Sequence, residues 1–343
     1  MSWAPPAGPD TTPRLPPCLY CGERAYEPKY QAVRDRLGHV PGPWSFWRCR
    51  GCGAATLAPF PDERELAAFY PPVYSFTPGL GGGSRLKRLL ARLEFTLYFR
   101  PQYVAQARRV LRATGWAGAR GLRLLDVGCG PGLRLLEFRR RGFEVHGMDF
   151  QPEVVEYLQR QLGIPAVCTD VQGLARHFPP GFFDLVTAFF VLEHVTSVEA
   201  VLRVCWGLLR PGGWFVGAVP LIDSVQAPLF GARWINVTEA PRHLSLPTRR
   251  SMERVCRRVG FDHLRLEPDS ALNCAGQIGS SLFPGAAITD VYAGSGVRAL
   301  VRRLAGGAVT FLAIPFCLVE NHLLGRPSLG MVLARRPPEG PGA

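Results

Sequence analysis

From residue 122 onward the chain alternates short apolar runs with amphipathic stretches closed by glycine, and this alternation restricts the fold more than any other feature. "LRLLDVG" (122–128) reads as a strand, and "LRLLEFRRRG" (133–142) as a helix stopped by Gly142. "FEVHGMD" (143–149) is a second strand, and "PEVVEYLQRQLG" (152–163) a helix with proline at its start and glycine at its end. "PAVCTD" (165–170) and "FFDLVTAFF" (182–190) give a third and fourth strand, the latter followed by a helix over 198–209. "PGG" (211–213) is expected to turn the chain into a fifth strand, "WFVGAVP" (214–220). Thr248 caps a helix ended by Gly260, and "FDHLRLE" (261–267) is a sixth strand. "GMVLARR" (330–336) closes the set. Such alternation predicts an α/β fold: a Rossmann-like, doubly wound, parallel-rich sheet with helices on both faces.

The loop after the first strand narrows the chemistry. "LLDVGCGPG" carries Gly128, Gly130 and Gly132 where the first helix opens. Small residues let the backbone approach a ligand, and a helix N-terminus favours its negative group. A dinucleotide site usually has glycine one residue further on, where this chain has Leu133. Asp149 ends the second strand, where a carboxylate can accept ribose hydroxyls. Asp170 ends the third, where a polar side chain can meet an adenine amine. All three features face one cleft at the carboxyl ends of the strands.

Together "LLDVGCGPG", "VHGMD", "CTD", "FDLVTAFFVLEHV" and "LLRPGG" resemble, in order and spacing, the class I S-adenosylmethionine-dependent methyltransferases. The resemblance covers residues 120–268 and extends towards Arg336, and it implies a seven-stranded methyltransferase sheet. It also implies that Asp126, Gly128, Gly130 and Gly132 cradle the methionyl part of S-adenosylmethionine. By the same resemblance Asp149 with Phe150 holds the ribose side, Asp170 with Val171 lies by the adenine, and Phe189 with Phe190 lines the sulfonium.

Methyl transfer to a hydroxyl or carbon acceptor also needs a proton removed, so a base is expected near the cleft. Glu193 and His194, in "LEHV", follow the fourth strand. His243, in "EAPRHLSLP", lies in the loop after the fifth, where substrate-facing residues are usual. His243, His194 and Glu193 are therefore the candidate catalytic residues. In zinc-ribbon relatives a His-x-Ser stretch here resembles the acid/base element, matched by His243 and Ser245. Sugar C-methyltransferases have an acid before the histidine; this chain has Arg242, free on sequence grounds to grip a substrate phosphate or carboxylate. Tyr70 and Tyr74 resemble site-lining tyrosines of relatives, although packing is the expected role.

Upstream, Cys18, Cys21, Cys49 and Cys52 form two Cys-x2-Cys pairs 27 residues apart. Four thiolates in two such pairs suit a closed, tetrahedral, structural zinc site. Small ribbons lack the surface to build a large core, so a metal would supply folding energy. The other six of the ten cysteines show no pairing pattern and read as buried thiols. The aromatic residues between the pairs (Tyr26, Tyr30, Trp44, Phe46, Trp47) suit either base stacking or packing on a neighbour.

The division expected is a Pro-rich lead (1–16), a zinc-binding accessory domain (17–74), and a linker with helical region (75–118). A methyltransferase domain (119–337) with a helical insertion (269–328) follows, then a tail (338–343). The linker holds a flexible joint (75–84) and a basic helix with Leu86, Leu89, Leu90, Leu93 and Leu97 at helical spacing, split by Pro101. The formal charge of +13 comes from arginine, since Lys29 and Lys87 are the only lysines. The longest apolar run (305–319) is too short to span a bilayer, but Arg298, Arg302 and Arg303 precede it, which suits peripheral membrane contact.

The function expected is methyl transfer to a small-molecule or glycan-related, lipid-linked acceptor by a cytoplasmic, membrane-peripheral enzyme. Nothing in the sequence sets an oligomeric state. Two other readings stay open: an RNA methyltransferase whose ribbon reads its substrate, and a non-catalytic membrane- or nucleic-acid-binding scaffold retaining the fold. Nucleic acid is disfavoured, because the ribbon is no more basic than the rest.

Overall fold

The computed structural model describes residues 14–70, 95–116, 118–284 and 297–339. Most of the Pro-rich lead, the joint at 75–84, Tyr74, the start of the basic helix with Leu86, Leu89, Leu90 and Leu93, residues 285–296 of the insertion and the end of the tail lie outside these residues.

Among the described residues the strands form two sheets. The larger one has seven strands: β4 (Arg123–Val127), β5 (Glu144–Asp149), β6 (Ala166–Cys168), β7 (Phe183–Phe189), β8 (Leu209–Pro220), β10 (Asp262–Pro268) and β11 (Leu329–Arg335). Their spatial order is β10-β11-β8-β7-β4-β5-β6. From β6 to β8 neighbours run parallel, and β11 enters antiparallel between β8 and β10. The order reverses beside β4, so the carboxyl ends of β4, β5 and β7 open onto a crevice, where ligands bind in open α/β sheets. This is the seven-stranded, Rossmann-like sheet that the sequence resemblance implies.

The central strands β4 and β7 are almost wholly buried, which is why they read as continuous apolar runs. β7 is buried at all seven positions. The helices start and stop where the caps predict. Thr248 and Ser251 form a reciprocal capping box, and Gly260 ends that helix at φ +105°. The helix Pro152–Leu162 has proline in its first turn and Gly163 as a left-handed cap. β8 departs from expectation: it begins at Leu209 and runs through Pro211–Gly213 instead of turning there. The extra length is absorbed by a register shift against β7 between Phe183 and Leu185. The basic stretch is helical from Phe95 and changes pitch at Arg100, with Pro101 in the first turn of Arg100–Thr114.

The smaller sheet contains β1 (Tyr26–Val33), β2 (Trp44–Cys49), β3 (Ala55–Ala58) and β9 (Ser245–Leu246). β9 comes from the loop after β8 and pairs antiparallel with β3 through Ala55–Leu246 and Thr56–Ser245. The cysteine-bearing segment and the loop that carries His243 are therefore one hydrogen-bonded unit. Tyr30, Trp44 and Phe46 are buried with Trp234, Val237 and Leu244 of that loop in a single apolar cluster. Packing on a neighbour, not base stacking, is what these three aromatic residues do.

Candidate active site

The glycine loop leaves β4 with all three glycines at positive φ: Gly128 +66°, Gly130 +51° and Gly132 +70°. Their surroundings differ. A Cβ on Gly128 would meet Val191 at 2.7 Å, and one on Gly132 would meet Leu158 at 2.3 Å, so protein packing demands both glycines. A Cβ on Gly130 would meet nothing within 4 Å. Gly130 is the open point of the loop, where a ligand can approach the backbone.

Two buried carboxylates flank it. Asp126 is 1% exposed; its Oδ1 accepts from Thr187 at 2.6 Å, while Oδ2 has no hydrogen-bond partner among the described residues. Burial pushes its carboxyl up to about 6, against the pull of the Arg134 charge. Asp149 accepts the Gly130 amide on one oxygen and the Gln151 amide on the other, both at 3.0 Å. Each oxygen keeps a second lone pair for ribose hydroxyls. An orphaned acid, an open glycine and a half-used carboxylate fit an aminoacyl-nucleoside cofactor.

The remaining cofactor candidates lie around this cleft. Phe150 is 55% exposed and directly follows Asp149, leaving a free aromatic face. β6 stops at Cys168, so Asp170 lies beyond the strand and not at its end. One of its oxygens accepts the Gly173 amide at 2.6 Å, capping the turn that Val171 enters. Phe189 is buried beneath the Arg134 guanidinium, 4.0 Å from its ring centre. Phe190 takes the left-handed conformation at φ +60°, rare for a bulky residue and a store of strain at the end of β7. Arg134 also faces Tyr103 and bonds Gln106 at 3.1 Å, tying the helix Arg100–Thr114 over the cleft. No sequence signal beyond its place in the first helical turn singles out Arg134.

Glu193, His194 and His243 come together across two loops. One ligand atom from each lies within 4.8 Å of the others. The two imidazole rings meet edge to face with centroids 4.7 Å apart. His243 Nδ1 donates to the Asn236 carbonyl at 2.8 Å, which fixes the tautomer and leaves Nε2 as an acceptor. His194 Nδ1 lies 3.1 Å from the Arg242 carbonyl and 3.0 Å from the Tyr70 hydroxyl. A carbonyl only accepts, so the proton sits on Nδ1 there too. Burial holds both imidazoles down, to about 3, and each ring is neutral near pH 7. Glu193 is 1% exposed, its Oε2 has no partner among the described residues, and burial pushes its carboxyl up to about 8. Tyr70 links this cluster to the cofactor cleft: its ring packs edge-on to Phe150, with centroids 5.5 Å apart. Tyr70 thus packs on Phe150 and also hydrogen-bonds His194.

Two residues around His243 serve the protein itself. Arg242 is fully buried, with its guanidinium on Asp35 and Glu239, so it does not grip a substrate anion. Ser245 is also fully buried, its hydroxyl 2.8 Å from that of Tyr20 in the cysteine-bearing segment. Its contribution is to the joint between the two sheets.

The four cysteines converge. Cys18 and Cys52 sulfurs are 3.5 Å apart, Cys21 and Cys49 sulfurs 3.6 Å, and all four lie within 4.8 Å. Tetrahedral zinc with ~2.3 Å bonds requires sulfurs about 3.8 Å apart. The donor set and its closure fit a structural ion with no open position.

Residues 97–266 match the family described as "Methyltransferase domain". The chain is 39% identical over 103 residues to a ubiquinone biosynthesis O-methyltransferase of Chromobacterium violaceum, covering 29% of this chain and 44% of that protein. It is 40% identical over 98 residues to the same-named protein of Xanthomonas euvesicatoria pv. vesicatoria, covering 27% and 41%. The chain thus spans under half the length of these relatives. Solved structures with a similar fold include the [4+2]-cyclase SpnF (21% identity, 69% of this chain, 82% of that one, TM-score 0.46). Another is a SAM-dependent methyltransferase from Archaeoglobus fulgidus (18% identity, 72% and 99%, TM-score 0.45).

Proposed function

Residues 97–266 form a methyltransferase domain of the S-adenosylmethionine-dependent kind, and from that premise we propose that the protein methylates a hydroxyl group of a small-molecule, lipid-linked or glycan-related acceptor, with His243 as general base. One observation carries the reading. The free Nε2 of His243 belongs to a buried cluster that Tyr70 and Phe150 join to the cofactor-side acid Asp149. The naming of relatives as ubiquinone biosynthesis O-methyltransferases supports a hydroxyl acceptor attached to a lipid.

Bound S-adenosylmethionine supplies an electrophilic methyl group on a positively charged sulfur. Asp126 would balance the cofactor's ammonium group, Asp149, oriented by the Gly130 and Gln151 amides, would accept from its sugar hydroxyls, and Asp170 and Val171 would border its adenine. Phe189, with the Arg134 guanidinium stacked on its ring, and Phe190 would border the sulfonium side of the cleft. His243 Nε2 takes the acceptor's hydroxyl proton as the oxygen attacks, and its Nδ1–H keeps the bond to Asn236 throughout. Holding the acceptor in line can lower the barrier by roughly 7–11 kcal/mol in favourable cases. The four cysteines hold zinc in this reading and keep β3 paired to the His243 loop.

The orphaned Oε2 of Glu193 favours one competing use of the same atoms: a divalent ion shared by Glu193, His194 and His243. Turnover of a catechol or polyprenyl-catechol acceptor, followed by mass spectrometry, tests the proposal. Methylation that persists without added divalent ions supports the base. Strict dependence on added magnesium or manganese supports the shared ion, and no methylation of any hydroxyl acceptor overturns both.

A further inference from the structure

Fourteen large hydrophobic residues are exposed among those described, and ten fall within residues 297–324: Val297, Val301, Leu304, Phe311, Leu312, Phe316, Leu318, Val319, Leu323 and Leu324. Chance scatter does not concentrate exposed apolar side chains in one segment, and contiguous patches of this kind mark contact surfaces. The pattern within the helix Val297–Leu312 is inverted relative to an ordinary surface helix. Its inward side uses small or polar residues: Gly306 and Thr310 are buried where Gly279 of the neighbouring helix Ala271–Leu282 comes close. Its outward stripe, at helical spacing, is Val297, Val301, Leu304, Ala308 and Phe311.

The charges around the stripe are of one sign. Arg298 and Arg302 are exposed beside it; Arg326, also exposed, donates to the Asp223 and Ser224 carbonyls. The single acid between residues 297 and 326, Glu320, is fully buried and accepts from the Gln226 amide nitrogen at 2.8 Å. No exposed carboxylate is therefore present to compete for these arginines within the segment.

The segment is not one straight spanning helix. No single helix among the described residues is long and apolar enough to cross a membrane, and the apolar stretch is bent by 44° between Val301–Leu312 and Ile314–Leu323. A helix of 16 residues is about 24 Å long, suited to lying along a surface.

We propose that residues 297–326 form a docking surface for an anionic lipid bilayer. The Val301–Phe311 stripe sinks into the acyl boundary, and Arg298 and Arg302 meet headgroup phosphates. A bilayer satisfies both halves of the pattern at once, apolar depth and anionic rim. The inference rests on the outer face of the insertion and holds whatever the acceptor in the cleft.

The experiment is vesicle flotation of the full chain with phosphatidylcholine vesicles, with and without phosphatidylglycerol, read beside size-exclusion mass. Binding to the anionic vesicles is expected to exceed binding to neutral ones by about tenfold, and to weaken with salt. The triple variant Leu304→Gln/Phe311→Gln/Leu312→Gln should lose vesicle binding while keeping the wild-type affinity for S-adenosylmethionine, which shows that it folds. Arg298→Gln/Arg302→Gln should lose the anionic preference. Vesicle binding unchanged in the triple variant overturns the proposal. So does a wild-type chain that ignores both vesicles yet self-associates through this stripe, which would make the face an interface between copies.

Discussion

Arg242 and Asp35, 207 residues apart in sequence, are joined by two hydrogen bonds, Nη2 to Oδ1 at 2.5 Å and Nη1 to Oδ2 at 3.2 Å, with both side chains buried. The pair fastens the residue preceding His243 to the cysteine-bearing segment. Removing one partner of a buried ion pair typically costs ~3–5 kcal/mol, because the other charge is left uncompensated. Arg242→Met should therefore lower the melting temperature and loosen the His243 loop. Arg242→Lys should rescue little, since a point charge cannot make the two-pronged contact. Thermal denaturation with and without S-adenosylmethionine measures both.

The same pair predicts a pH dependence. Burial alone would raise the Asp35 carboxyl, but hydrogen bonds and charge from Arg242 outweigh it and hold it below the usual carboxylate range. A lowered folded-state value means the unfolded chain binds the proton more readily. The contribution is therefore complete above the ordinary aspartate value of about 3.9 and is lost as pH falls through the lower folded value. Asp35→Asn should be less stable than the wild type at pH 7, and the gap should narrow on acidification. A gap that stays constant from pH 7 to pH 3 would remove Asp35 from this account.

The cysteines carry a third prediction. One zinc per chain is expected by elemental analysis, and stripping it should break the β3–β9 pairing and the Tyr20–Ser245 contact. The Asp126–Asp149 cleft belongs to the other sheet. Chelation should therefore abolish acceptor turnover well before it abolishes cofactor binding, and calorimetry after chelator treatment checks that order.

What was legible in the sequence followed from local chemistry. β4 and β7 are buried on both faces and so read as apolar runs, and Gly142, Gly163 and Gly260 stop helices wherever they stand. The cysteine spacing announced its cluster for a similar reason, since ligand pairs declare themselves within a few residues. β9 was not legible, because two residues have no periodicity and Ser245–Leu246 become a strand only when β3 is alongside. Arg242 misled for the same cause: its anion is Asp35, more than two hundred residues away, which no local pattern reveals. Tyr70 gave the signal of an aromatic before a Pro-Pro stop, but its bond to His194 depends on a loop after β7.

In the cofactor cleft, Asp149→Ala should weaken S-adenosylmethionine binding by about 10- to 100-fold, the usual cost of losing hydrogen bonds to a charged group. Asp126 adds a pH signature. Its carboxyl sits at about 6 in the free protein, raised by burial. Pairing with the cofactor's ammonium requires the ionised form, so affinity should fall as pH drops below about 6, and Asp126→Asn should bind weakly with that dependence gone. Calorimetry between pH 5 and pH 8 reads both.

The sharpest prediction concerns His243. Its Nδ1 is committed to Asn236 and its Nε2 is the atom free to take a proton. His243→Ala should bind S-adenosylmethionine as the wild type does, because the cofactor-side contacts lie on Gly130, Asp126 and Asp149. Its kcat should fall by about 10²–10⁴-fold, the range for a lost general base. Tyr70→Phe removes only the hydroxyl beside His194 and should cost less, with cofactor affinity also retained. If His243 merely orders its loop, the melting temperature and acceptor KM should shift with kcat, and an acceptor of lower pKa should recover nothing. If it is the base, the more acidic acceptor should recover much of the lost rate in His243→Ala and little in the wild type. Near-normal turnover of His243→Ala with an unactivated hydroxyl acceptor would end the assignment.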